Sequence, residues 1–219
     1  AIESMEDIKN KVRERFIRYA KIDTQSQAGS SSTPSTKKQF DLAKELKREL
    51  EEMGAQNVRL SEQCCLFAAI PSNIKEKEKE KAVKSVGFIA HMDTTPDASG
   101  TNVRPWVLEN YDGGDVLLNK ERNIILESAR FPSMKKYVGH DMIFTDGTTL
   151  LGGDDKAAVA AIMTFAEYLC GHPEVHHGEI QLGFTPDEEV GRGTENFDVK
   201  DFGAEVAYTM DGDGLGGIY

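Results

Sequence analysis

The chain has 219 residues, 39% of them hydrophobic and 29% charged, with a formal net charge of -11 and a pI near 5.0. That is enough apolar material for one large core or two small ones. The acidic balance argues against nucleic acid or an anionic membrane as the main partner, because phosphate binding needs a surplus of Lys and Arg, but it suits a cavity built for cations.

Residues 4–20 carry Ile8, Val12, Phe16 and Tyr19 or Ala20 at helical spacing, and Ser4 with Asp7 three positions later predicts a capped start. "AGSSSTPS" (28–35) reads as a polar loop. A second helix is expected to begin with Pro34 in its first turn and to run to Met53, where Gly54 stops it; its stripe is Leu42, Leu46, Leu50 and Met53. The period then changes, and "NVRLS", "CCLFAAI" and "SVGFIA" (85–90) read as strands. Cys64 and Cys65 lie in one of these apolar runs and read as small core hydrophobes. With Cys170 they make an odd count without C-x-x-C spacing, which argues against a disulfide framework and a thiolate zinc site. The alternating run "KEKEKEK" (75–81) is expected to be a solvated hairpin tip.

From 94 to 150 the chain is irregular, with strand-like pieces in "GDVLLN" and "DMIFTD". Helical pattern returns over 154–172, with Ala157, Ala161, Phe165 and Leu169 on one stripe, and "EIQLGFT" (179–185) and "EVAYTM" (205–210) read as strands. There is no internal repeat. Helices interleaved with apolar strands predict an α/β domain with helices on both faces of a sheet. No apolar segment approaches 18 residues and no signal-peptide core opens the chain, so a cytoplasmic protein is expected.

Several acids fall where strands end. "SVGFIA" runs into His91-Met92-Asp93, "EIQLGFT" into Pro186-Asp187-Glu188-Glu189, and "EVAYTM" into Asp211, while "LLGGDDK" delivers Asp154 and Asp155 to a helix start. In open α/β sheets, ligand sites form beyond the carboxyl ends of the strands. His91 and Asp93 at i and i+2 of extended chain point to one side, about 6–7 Å apart. The pair is either a metal ligand with its orienting acid or a strand-end pair exposed to water. The triplet Asp187-Glu188-Glu189 likewise admits a solvated turn, and that plainer reading is kept for Asp187. Asp93, Asp154, Glu188, Glu189 and Asp211 would put five carboxylates in one pocket, which two divalent ions nearly balance. Imidazole plus carboxylate suits zinc, manganese or cobalt, zinc being the commonest hydrolytic choice; calcium would call for a D-x-D-x-D-G loop, which is missing.

"HMDTTPDASGTNV", "TDGTTLLGGDDKAA", "FTPDEEVGRG" and "YTMDG" together resemble, in order and at compatible spacing, successive motifs of the peptidase T family of tripeptide aminopeptidases. That family sits among the co-catalytic dizinc hydrolases. The resemblance implies a zinc-peptidase-like α/β catalytic domain with a mixed sheet, two Zn2+ ions (Mn2+ or Co2+ as substitutes) and a small peptide substrate. It implies that His91, Asp154 (bridging), Glu189 and Asp211 ligate metal, that Glu188 is the general base, and that Asp93 orients His91. It also implies a cis peptide at Asp154–Asp155. The family adds a lid domain and a last metal-binding histidine after the segment resembling "YTMDGDGLGGIY". Residues 1–219 are therefore expected to be the amino-terminal part of the catalytic domain, with a weak second metal site and little activity alone. His140, His172, His176 and His177 are expected at the surface rather than as that last ligand. A related dipeptidase or N-acyl amino acid deacylase, or a non-catalytic domain that keeps the fold, are the alternatives. The sequence bears no sign of oligomeric state.

Overall fold

The computed structural model describes residues 3–212 and 217–218. Helix α1 (Met5–Ala20) begins in a capping box: the Ser4 hydroxyl accepts from the Asp7 N–H while the Asp7 carboxylate accepts from the Ser4 N–H. Such a start contributes about 1 kcal/mol. Helix α2 (Gln39–Met53) buries Leu42, Leu46 and Leu50 and stops at Gly54, which takes φ +94°. It starts five residues later than expected: residues 34 and 35 form a bend and 37 and 38 a turn before the first helical residue, Gln39.

Strands β1 (Gln56–Leu60) and β2 (Leu66–Ile70) follow. The charge run is not a hairpin tip. It forms a short helix, α3 (Lys77–Ala82), because the next strand, β3 (Val86–His91), does not pair with β2. Strands β4 (Trp106–Leu108), β5 (Val116–Asn119), β6 (Ile124–Leu126) and β7 (Met142–Phe144) come next; β4 pairs with β7 and β5 with β6 around Tyr111, Val116, Met134 and Phe144. Helix α4 (Gly153–Gly171), strand β8 (Ile180–Thr185), the four-residue helix α5 (Val199–Phe202) and strand β9 (Val206–Thr209) complete the α-helices and strands of the described residues.

The main sheet has the order β1-β2-β8-β3-β9. It is mixed: β8 and β9 run parallel to β3, whereas β1, β2 and β8 alternate in direction. Leu66, Ala68 and Ile70 point to the face covered by α1, α2 and α4, while Cys65 and Phe67 point to the opposite face, against Phe202 and Phe197. The sheet is thus covered on both sides, with long helices on one and the short α5 on the other. Among the described residues, no helix is long and apolar enough to cross a membrane.

The inward side of α4 differs from the expected stripe. Val159, Ala160, Met163 and Ala166 are buried, and Leu169 with them, whereas Ala157 and Ala161 are exposed and Phe165 is 38% exposed. Cys64 and Cys65 are buried as small hydrophobes.

An ionic cluster joins the helix layer. Buried Glu49 of α2 accepts from Tyr19 Oη (2.6 Å), Arg18 Nη2 (3.0 Å) and Arg15 Nε (3.3 Å) of α1. Burial works against its charge, but the hydrogen bonds from Arg18 and Tyr19 and the charges of both arginines overcome that and hold its pKa below 4.5. A depressed carboxylate stabilises the fold above its unfolded pKa, and that contribution is lost as the pH falls through the folded value. Glu49→Gln should therefore cost about 3 kcal/mol at neutral pH, the low end for breaking a buried pair because Arg18 is one-third exposed. Thermal melts across pH 3–7 should show the gap between the two proteins closing at the acid end.

Candidate metal centre

Because β3, β8 and β9 are parallel, with His91 opposite Thr185 and Ile89 opposite Thr209, their carboxyl ends share one rim of the sheet. Each strand delivers polar groups at that rim: β3 ends on His91, β8 leads into residues 186–189, and β9 leads into Asp211. The start of α4 supplies the fourth piece. Gly152, at φ +87°, turns the chain into the helix, and Asp154 and Asp155 follow in non-helical conformations joined by a cis peptide, as the family resemblance implies.

These pieces meet on His91, which is 3% exposed. Its Nδ1 lies 2.9 Å from the carbonyl oxygen of Asp93 and 3.1 Å from Asp93 Oδ1, so Nδ1 carries a proton and donates it. Its Nε2 faces the rim, 2.9 Å from Asp154 Oδ1, 3.6 Å from Glu188 Oε2 and 3.7 Å from Asp211 Oδ2. His91, Asp154 and Glu189 offer ligand atoms that all lie within 4.8 Å of one another, and so do His91, Asp155 and Asp211. Both groups share His91.

Asp93 is fully buried and contacts more than the imidazole. Its Oδ1 accepts from the Glu188 N–H at 3.0 Å and its Oδ2 from the Glu189 N–H at 3.1 Å. One carboxylate thus ties the end of β3 to the turn after β8.

The electrostatics are those of crowded acids. Burial, with the charge of neighbouring acids, raises the pKa values of Glu188, Glu189 and Asp211. Burial pushes Asp155 up to about 8, although His91 pulls it down. Burial opposes protonation of His91, but the hydrogen bond and charge of Asp93, with Asp155 and Glu188, raise it to about 10. Carboxylates held above their ordinary range around one imidazole are a donor set short of positive charge, which a divalent ion supplies.

Three features differ from the sequence reading. The turn at Glu188 and Glu189 is not simply solvated: residues 188–190 form a 3-10 turn whose first two N–H groups point at buried Asp93. Asp187 is not a solvated acid but is 1% exposed and hydrogen-bonded on both oxygens. Asp155, to which the sequence assigns no ligand role, is buried, and its Oδ2 accepts the His91 backbone N–H at 3.1 Å. Its signal was the second acid of "GGDDK", indistinguishable by composition from a helix-start acid. The next residue, Lys156, is buried with its Nζ on the Ile22 carbonyl oxygen at 2.6 Å, and burial pushes its pKa down to about 8. The other histidines lie away from the centre: His172 pairs with Glu3 and Glu174 and stacks on Tyr168, His177 turns to the Gly178 carbonyl, and His140 and His176 are exposed.

No family model matches the chain. Over 205 residues, 94% of its length, it is 53% identical to peptidase T of Clostridium botulinum (strain Loch Maree / Type A3) and spans 49% of that protein. It is 54% identical over 205 residues to peptidase T of Desulfitobacterium hafniense, spanning 48% of it. The chain therefore covers about half the length of the curated relatives that it matches. Among solved structures, its fold is similar to aminopeptidase PepT from Bacillus cereus, with TM-score 0.65, 20% identity and coverage of 94% of this chain and 44% of that one. A tripeptidase from Staphylococcus aureus gives TM-score 0.63 at 23% identity, with the same coverages.

Proposed function

We propose that this chain is the amino-terminal part of the catalytic domain of a metal-dependent aminopeptidase that releases the first residue of tripeptides. The observation that carries the reading is the convergence on His91 Nε2 of Asp154, Glu188 and Asp211 from three separate elements. Sequence identity of 53% to peptidase T supports the substrate class.

In this reading His91, Asp154, Glu189 and Asp211 hold the metal, zinc suiting a set of imidazole and carboxylates. Bound there, the ions would make water more acidic and polarise the peptide carbonyl. The chain's own residues do the rest. Asp93 fixes the protonated Nδ1 of His91 and so leaves Nε2 free to donate its lone pair. Through their amides, Asp93 also sets the backbone from which Glu188 and Glu189 project. Glu188 takes a proton from the attacking water and returns it to the leaving amine. Its raised pKa brings it closer to the working pH of that exchange.

The test is a substrate comparison in protein of the relatives' length. Tripeptides should be hydrolysed, dipeptides and N-acyl amino acids left intact, and turnover should vanish on chelation and return with zinc. Equal hydrolysis of all three classes would discard the assignment. In the 219-residue chain the two ligand groups share His91, so elemental analysis should find one firmly held ion per chain. Two would contradict the ligand count.

A further inference from the structure

The proposed chemistry leaves Asp187 without a task, although it is the most heavily bonded acid of the triplet. Its Oδ2 accepts the Ser35 N–H at 2.7 Å, and its Oδ1 accepts the Ser35 hydroxyl at 2.6 Å and Gln39 Nε2 at 2.7 Å. The Gln39 Oε1 in turn accepts the Asp187 N–H at 3.1 Å. One side-chain amide, itself fully buried, thus grips both the carboxylate and the backbone of the same residue. Asp187 stands at φ +57°, a left-handed conformation that reverses the chain just before the two glutamates. Its carbonyl accepts the Arg192 N–H at 2.9 Å, and the Arg192 guanidinium donates to the carbonyls of Ser30 (3.2 Å) and Ser32 (3.0 Å).

We infer that Asp187 is the positioning residue of the centre: held by Ser35 and Gln39, it sets the turn from which Glu188 and Glu189 reach the rim. The inference rests on the function proposed above. The turn is fixed from two sides by two buried carboxylates. Asp93 holds the amides of Glu188 and Glu189, while Asp187, the residue before them, is held by Ser35 and by Gln39 at the start of α2, some 150 positions earlier in the chain. All three groups facing the Asp187 oxygens are donors, so an amide there would set N–H against N–H. The turn would have to open, and the side chains of Glu188 and Glu189 would move with it.

The test pairs Asp187→Asn with Asp187→Asn/Gln39→Glu. In the pair the donor and acceptor are exchanged: the new amide donates to the new carboxylate and to Ser35 Oγ, which already accepts the Gln27 N–H, and the Thr36 hydroxyl, which accepts from Gln39 Nε2, turns its proton to the carboxylate. In the 219-residue chain, Asp187→Asn should weaken zinc binding by roughly 10-fold or more and speed amide exchange in residues 186–193 while leaving α1 and the body of α2 beyond its first turn unchanged. In protein of the relatives' length it should lower kcat by roughly 100-fold with little change in KM. The pair should recover most of each loss. Ser35→Ala, which removes one donor and keeps the acid, gives a smaller effect in the same direction and serves if Asp187→Asn does not fold. Wild-type zinc affinity and exchange in Asp187→Asn, or losses that the pair leaves unrepaired, would overturn the inference. If the unaltered protein neither holds metal nor cleaves tripeptides, the proposed function falls, and amide exchange alone decides the role of Asp187.

Discussion

Glu188→Gln in protein of the relatives' length should lower tripeptide turnover by about 1,000-fold, within the range for loss of a general base, while zinc content and thermal stability stay at wild-type values. The Glu188 carboxylate is half-exposed and lies 3.6 Å from His91 Nε2, whereas its backbone N–H is what Asp93 holds. The amide side chain keeps the size and the turn but cannot take a proton at neutral pH. The ligands assigned to the metal are untouched, so a fall in kcat without a fall in metal content separates the base from the ligands. Turnover within tenfold of wild type would remove Glu188 from the mechanism.

Asp93→Ala should act in the opposite way, on metal and fold together. The substitution strips the buried acceptors from the Glu188 and Glu189 amides and removes the acid beside His91 Nδ1. Leaving two partly buried N–H groups without partners costs about 2 kcal/mol, and loss of the group that orients a ligating histidine weakens metal binding by roughly 10- to 100-fold. The pH dependence should change as well. With Asp93 present, His91 is raised to about 10 and must shed a proton to bind metal, so affinity climbs as the pH rises towards that value. Without Asp93 that climb should level off at lower pH. Zinc titration calorimetry from pH 6 to 9, alongside thermal melts, reads all three effects. A variant as stable as wild type would show that the two amides find other partners.

Much of this was legible because local rules and tertiary structure agree. The Ser4–Asp7 cap, the Leu42–Leu46–Leu50 stripe and Gly54 each act within a few residues, and the strands end where the apolar runs end. The acids at those ends could be seen to share a rim once the strands were taken as parallel neighbours. The misplaced features are those that distant partners decide. Helix α4 is apolar nearly all round, so periodicity could not choose between the Ala157–Ala161–Phe165 side and the Val159–Met163–Ala166 side; contact with α1 and the sheet does. The late start of α2 depends on Ser35 and Gln39 facing Asp187, roughly 150 residues away. For the same reason Asp187 read as solvent-facing: its partners, Ser35 in the loop before α2 and Gln39 at the first position of α2, carry no local signal of a distant acid. The 3-10 turn at Glu188 likewise follows from Asp93, not from the residues in the turn.

The sheet order β1-β2-β8-β3-β9 bears on how the chain is made. Strands β2 and β3 flank a slot that is filled only by residues 180–185, about 90 positions after β3 ends. A ribosome adding about 5–20 residues per second leaves those two apolar strands with open inner edges for several seconds. Unpaired edges of that kind recruit other chains. Nascent-chain crowding, rather than weakness of the finished core, is therefore where expression of this protein should be most sensitive, and slower synthesis or holdase chaperones should act on the interval before β8 emerges.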